Sequence, residues 1–233
     1  DQRNAHLKVS VGPDAHIYYI DESIMSSNAT NSTNSSTAAA VGNALWQKQT
    51  KINAELFALT YGAMVGELIR DLEKSDKIQE ELDRMGHSIG VRCIEEFLAK
   101  SMSVEMNNNT QQAAAASFLK AQTFVDTASI VKASFKMFLG VTAESNLKSD
   151  TSYTITMVDN PLQIFVELPP DRAESLEYSQ LLCGMIRGML EMLQYDVSCQ
   201  MIQSQLKGQE TNEILVDLKQ VLQEGAGDDY HDE

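Results

Sequence analysis

Acid–base, nucleophilic or metal chemistry in this 233-residue chain would come most readily from four histidines, three cysteines and one adjacent carboxylate pair, Glu95-Glu96. Their spacing argues against each. No histidine among His6, His16, His87 and His231 has a second histidine or a cysteine at ligand spacing, so no local metal set forms. Glu95 and Glu96 would point about 100° apart on a helix and cannot face one another as an acid–base pair. Cys93, Cys183 and Cys199 are odd in number, far apart and set in apolar patterns, as reduced core thiols are. His-Glu-x-x-His, Cys-x-x-Cys, a phosphate loop and the dinucleotide glycine pattern are all missing, and no Gly-x-Ser-x-Gly motif is expected either. No catalytic residue and no metal site is therefore predicted, and an enzyme acting alone has nothing to carry it.

Charge narrows the partners. Lys plus Arg number 18 against 33 acids, a net charge of −15, which repels nucleic acid. No apolar run nears the roughly 20 residues that span a bilayer, so the expected compartment is the cytosol or the cytosolic face of a membrane. Hydrophobic residues at 43% and charged residues at 22% are ordinary for a globular domain.

Residues 1–43 read as a disordered low-complexity leader, because Ser26 to Ala40 holds little but Ser, Thr, Asn and Ala. Met25 stands there as a candidate natural start. Asn28-Ala29-Thr30, Asn31-Ser32-Thr33 and Asn34-Ser35-Ser36 match the glycosylation pattern through composition alone. Order is expected from near Trp46, in one domain over 44–222. Ile52 to Leu72 carries two apolar stripes, Ile52/Leu56/Leu59/Ala63 and Phe57/Tyr61/Met64/Leu68/Leu72, which predicts a helix buried on most sides. A short helix from Asp76 to Arg84 should end at Met85-Gly86, and another should run from Ser88 to about Lys100 with Ile89, Cys93 and Phe97 inward. Residues 102–122, rich in Asn, Gln and Ala, read as an insertion loop.

The helix from Thr123 to Leu139 stops at Gly140 as a C-terminal glycine predicts. Tyr153 to Met157 and Ile164 to Leu168 read as one β-hairpin about Asp159-Asn160-Pro161. A helix from Tyr178 to Gln194 precedes a second hairpin, Tyr195 to Met201 with Ile214 to Leu218. The expected fold class is α/β, of the α+β kind, with helices on one face of a four-stranded antiparallel sheet.

Four features stand above background. Gly184 and Gly188 lie one turn apart and admit a close backbone, either as ordinary helix packing or as a wall beside a partner or cavity. Met185, Met189 and Met192 share a face that suits a core or an adaptable cavity. Ala128, Ile130, Val131, Ala133 and Ser134 could wall a narrow channel or simply meet another helix. The tail 223–233 holds five acids and no Lys or Arg, which serves solubility or competes for groups that cradle a phosphate.

Specific strings carry a resemblance. Lys51 to Ala63, Met85-Gly86-His87-Ser88-Ile89-Gly90-Val91-Arg92, Ile94 to Ala99, Phe135 to Gly140, Asn160-Pro161-Leu162, Phe165 to Pro169 and Tyr178 to Gly184 resemble the Bet-three branch of the TRAPP small-subunit family, TRAPP being the transport protein particle. The resemblance implies helices on one side of a four-stranded antiparallel sheet. It implies a subunit that pairs with related small subunits, as a hetero-oligomer or also a homodimer, in a complex that tethers vesicles in ER-to-Golgi transport. That complex catalyses guanine-nucleotide exchange on a Rab GTPase. A vesicle coat is a further implied partner, and the implied place is cytoplasmic, peripheral on cis-Golgi and ER-derived membranes. Members hold a fatty acyl chain in an apolar channel, which Ser134 would line; the tail residues Gly227, Asp228 and Asp229 would contact the GTPase. No cysteine lies between Ser101 and Thr123, so the family's attachment position has no thiol here, and the usual Trp-containing turn is missing near Ala143 to Ser149. The alternative from another class is a lipid- or small-molecule-binding module built on the same channel.

Overall fold

In the computed structural model, which describes residues 8–9, 32–103 and 123–222, two pairs of glycines set how the largest helices meet. Gly86 and Gly90 lie on α3 (Ser75–Ser101), and Gly184 and Gly188 on α5 (Gln180–Met192). A Cβ on Gly86 would sit 2.1 Å from the Leu181 carbonyl oxygen, and on Gly90 2.1 Å from that of Met185. The relation is reciprocal, since Gly184 would meet the Asp83 oxygen at 2.1 Å and Gly188 the His87 oxygen at 2.2 Å. Each glycine thus turns a Cα–H toward a carbonyl of the other helix. The contacts advance in the same direction along both chains, so the helices run parallel. No residue with a side chain fits at these four points without moving backbone.

Around this crossing lie α1 (Ser32–Lys48), α2 (Ala54–Asp71) and α4 (Thr127–Leu139). Asn53 caps α2 by accepting the Leu56 N–H at 2.8 Å. A Thr123–Asp126 capping box opens the turn that leads into α4, and Gly140 closes that helix at φ +72°. The sheet runs β2 (Ala143–Ser149), β3 (Ser152–Met157), β6 (Asn212–Val221), β5 (Tyr195–Gln203), antiparallel throughout. Tyr153, Ile155 and Met157 oppose Val216, Ile214 and Asn212, all buried beneath the helices. A two-residue strand β1 (Lys8–Val9) pairs with β4 (Val166–Glu167). The expected fold class and the second hairpin stand.

Several boundaries differ, each for a physical reason. The leader expectation is corrected over residues 32–43, because helix α1 already begins at Ser32 and buries Ala38, Val41 and Leu45. Its small residues let it approach α4: a Cβ on Gly42 would lie 3.2 Å from the Ala133 Cα, and Trp46 covers Gly140. The two helices expected between Asp76 and Lys100 are one, since Gly86 is a point of helix contact and not a stop. Along it Ile78, Leu82, Ile94 and Phe97 face inward, while Ile89 is exposed.

The first hairpin is also corrected. β3 turns back onto β2, a polar edge strand whose alternation is hidden because its side chains are mostly exposed. After Met157 the chain instead makes a single turn of 3₁₀ helix at Pro161–Gln163, capped by the Asn160 side chain, and Phe165 takes φ +67°. On α2 the burial is one-sided. Ala58, Tyr61, Val65 and Ile69 are buried, whereas Leu56 is 63% exposed and Ile52, just before the helix, 72%.

Alanine at Gly184 is expected to cost about 3 kcal/mol through overpacking against backbone, offset by about 1 kcal/mol from alanine's better helix propensity. A net loss near 2 kcal/mol in chemical denaturation follows, against a loss of about 1 kcal/mol for the same change at Gly208, where a Cβ meets nothing within 4 Å and only the strain of φ +84° is felt.

Candidate functional site

Polar side chains stand in a row beside the glycine crossing. Asp83 of α3 bonds Arg187 of α5 and accepts from the Gln180 amide at 3.2 Å; one turn on, His87 Nε2 lies 2.5 Å from Glu191 Oε2. These pairs flank the crossing and add directional contacts to the register that the glycines set. His87 is thereby a strut.

The string Gly86-His87-Ser88-Ile89-Gly90 does spell Gly-x-Ser-x-Gly, which corrects the expectation that this motif is missing. Its setting cancels the chemistry. An elbow needs a strained strand-to-helix turn that presents the serine, whereas Ser88 sits mid-helix and donates to the Arg84 carbonyl at 3.2 Å. His87 is its neighbour in sequence and points to Glu191 instead. Among the described residues no group of three or more His, Cys, Asp or Glu could hold a metal ion.

The thiols are placed as core residues. Cys183 is fully buried on α5 and Cys199 is half-buried on β5, and burial pushes both thiols well up. Cys93, half-buried on α3, is pushed up to about 11 by burial, with Glu96 adding to it. None is a nucleophile at neutral pH.

Ser134 is fully buried on α4 beside Ile130, Val131, Ala133 and Phe135, and its hydroxyl has no hydrogen-bond partner among the described residues. Met185 and Met189 are buried, Met192 exposed. Gly227, Asp228 and Asp229 lie outside the described residues, as do Met25, most of the leader and the greater part of the 102–122 insertion. The tail's root is described: Leu222 donates to the Gln194 carbonyl at 2.8 Å, which fixes the end of β6 against the turn between α5 and β5. Exposed Met192 and Val221 flank it. A second exposed apolar strip, Ile52, Leu56 and Leu59, runs along α2. Among the described residues these exposed apolar strips offer surfaces for binding. Sequence reasoning missed the α2 strip because a helix with two apolar stripes reads as buried twice over, and only a partner list tells which stripe the core takes.

A family model described as Transport protein particle (TRAPP) component matches residues 57–217. The chain is 42% identical over 187 residues to Transport protein particle subunit bet3 of Schizosaccharomyces pombe, covering 79% of this chain and 93% of that one. It is 42% identical over 188 residues to Trafficking protein particle complex subunit 3 of Dictyostelium discoideum, covering 78% and 91%. Among solved structures it is similar to a trafficking protein particle complex subunit 3 from Naegleria fowleri, crystallised covalently bound to palmitic acid. The TM-score is 0.65 at 40% identity, over 75% of this chain and 100% of that one.

Native protein at pH 8 is expected to resist iodoacetamide at all three cysteines. The shift of Cys93 from 9.0 to about 11 leaves roughly 100-fold less thiolate there. Rapid labelling before unfolding, read by peptide mass spectrometry, would contradict the burial. The same shift gives a pH dependence: because the folded pKa is raised, its stabilisation is complete below 9.0 and is lost as pH climbs through about 11.

Proposed function

Because this chain belongs to the transport protein particle (TRAPP) component family, we propose that it acts as a core subunit of a TRAPP vesicle-tethering complex in ER-to-Golgi transport, contributing to guanine-nucleotide exchange on a Rab GTPase. The observation that carries this reading is the likeness to subunits of that particle across nearly their whole length. The absence of any reaction-bearing constellation among the described residues fits a part that works only with neighbours. The exposed α2 strip of Ile52, Leu56 and Leu59 supports contact with other small subunits, in a hetero-oligomer or with a second copy.

The tail's role follows from charge. Asp228 and Asp229 stand in an acidic run that follows, in sequence, Leu222, which donates to the Gln194 carbonyl. Negative charge brought to a nucleotide site competes with phosphate for its lysine and N–H groups, which favours nucleotide loss. The chain alone gains nothing from anionic lipid at −15, so peripheral attachment to cis-Golgi or ER-derived membranes would run through basic partners, with a vesicle coat as a further contact.

A fatty acyl chain bonded as in the Naegleria protein does not fit this chain. A thioester needs an accessible thiolate, and Cys93, Cys183 and Cys199 are core thiols with raised pKa values, while residues 101–123 contain no cysteine. The form left for an acyl ligand is unbonded, in an apolar channel along α4 at Ser134.

Two outcomes are expected. Deleting the residues after Gln223 should slow nucleotide exchange by the assembled complex while assembly stays intact; unchanged exchange in an intact complex would remove the tail's role, and loss of assembly would move it to the interface. Denaturing intact-mass spectrometry of the endogenous protein should show no added acyl mass, and an acyl adduct surviving denaturation would overturn the core assignment of the thiol that carries it.

A further inference from the structure

We propose that a cleft at the end of β5 is a seat for an arginine side chain of a partner protein. The cleft has a volume of about 270 Å³ and lies between the connection into α5 and the β5–β6 turn; its walls include Glu174, Glu177, Met201, Ile202, Ser204 and Lys207. Three observations fix the chemistry. Glu177 is only 7% exposed, and a carboxylate so enclosed must be paired or hydrogen-bonded to stay charged. Its cation is Lys207 at 3.1 Å, and its other oxygen receives only a long 3.5 Å contact from the Ser179 N–H. Ser204, 2% exposed, keeps a hydroxyl with no partner among the described residues.

Lys207 is a weak occupant. It reaches in from a short turn of 3₁₀ helix that Gly208 closes, and its ammonium is a point charge on a flexible stem. With Glu174 and Glu177 against one lysine, the walls carry one net negative charge, so an anion is repelled and a cation is drawn. A guanidinium presents a planar fork of donors that engages a carboxylate through two bonds at once. Its stem would lie on Met201 and Ile202, the latter exposed among the large apolar residues. The chain's charge of −15 steers basic partners toward it. That the occupant comes from another protein rests on the assembly reading; the chemistry of the seat does not.

The test uses the full chain carrying ¹³C-methyl methionine, with the Met201 signal assigned through Met201→Leu. The probe is acetyl-Gly-Arg-Gly-amide, and its citrulline counterpart is the uncharged control. The arginine peptide is expected to move the Met201 signal saturably and the citrulline peptide to leave it in place. Lys207→Met removes the resident competitor and should tighten binding roughly tenfold, the size of one lost hydrogen bond to a charged group. Glu177→Gln should weaken it by at least as much. Should Glu177→Gln fail to fold, Lys207→Met decides alone, since a merely structural ion pair predicts no gain. No movement of Met201, equal movement by citrulline, or weaker or unchanged binding in Lys207→Met would each overturn the proposal. None of these outcomes bears on TRAPP assembly, because no other subunit is in the tube.

Discussion

Backbone touching backbone is the constraint on which the fold turns. At the α3–α5 crossing, four glycines bring helix axes closer than any side chain would allow, and the contacts are Cα–H groups against carbonyl oxygens. Such a crossing admits little adjustment, because no flexible side chain lies between the helices to absorb a shift. Asp83–Arg187 and His87–Glu191 then hold the register from the flank. Since α5 leads directly into β5, the position of half the sheet, and of the turn where the tail takes leave, is inherited from that crossing. Tyr61 of α2 extends the same frame by donating to the Tyr178 carbonyl at 2.5 Å, with the two rings edge-on at 5.0 Å.

Half of this was legible in the sequence and half was not, for one reason. Gly184 and Gly188 stand inside an unbroken apolar run, where glycine's helix cost demands a packing explanation. Gly86 follows Arg84 and Met85, which is how a helix end reads, and a terminating glycine and a crossing glycine are the same residue until the partner is known. The Ser/Thr/Ala stretch before Trp46 failed likewise. Small residues that cannot build a core of their own can still dock on one, as Ala38 and Val41 do. Alternation identified β3, β5 and β6 because their inner faces are buried; β2, an exposed edge, had no contrast to show. Asp159-Asn160-Pro161 was correctly a turn, yet a turn states only that the chain bends, not which strand it returns to.

The site was legible in a different sense. Among the described residues no group of three or more His, Cys, Asp or Glu could hold a metal ion, the thiols sit in or against the core, and the one nucleophile-like string lies mid-helix with Ser88 exposed. Ser134 was placed on its helix, and its burial confirms the stripe to which it belongs, although what that stripe faces is a matter of volume that a one-dimensional pattern does not carry. The cleft at Glu177 left no trace at all. Its carboxylates come from a loop and its lysine from a turn thirty residues later, with no period to connect them.

An unpartnered apolar surface invites binding, and α2 shows why. A helix touching the core along one stripe buries Ala58, Tyr61, Val65 and Ile69, so apolar residues on its outer face are left in water unless something covers them. Water-exposed leucine is common when single. Leu56 and Leu59 on α2, with Ile52 just before it, are three large apolar residues left exposed close together, which a neighbour could cover. The same charge that keeps nucleic acid and anionic lipid away therefore confines adhesion to a few apolar or paired-ion surfaces, which is how an acidic subunit can be selective about the neighbours it accepts.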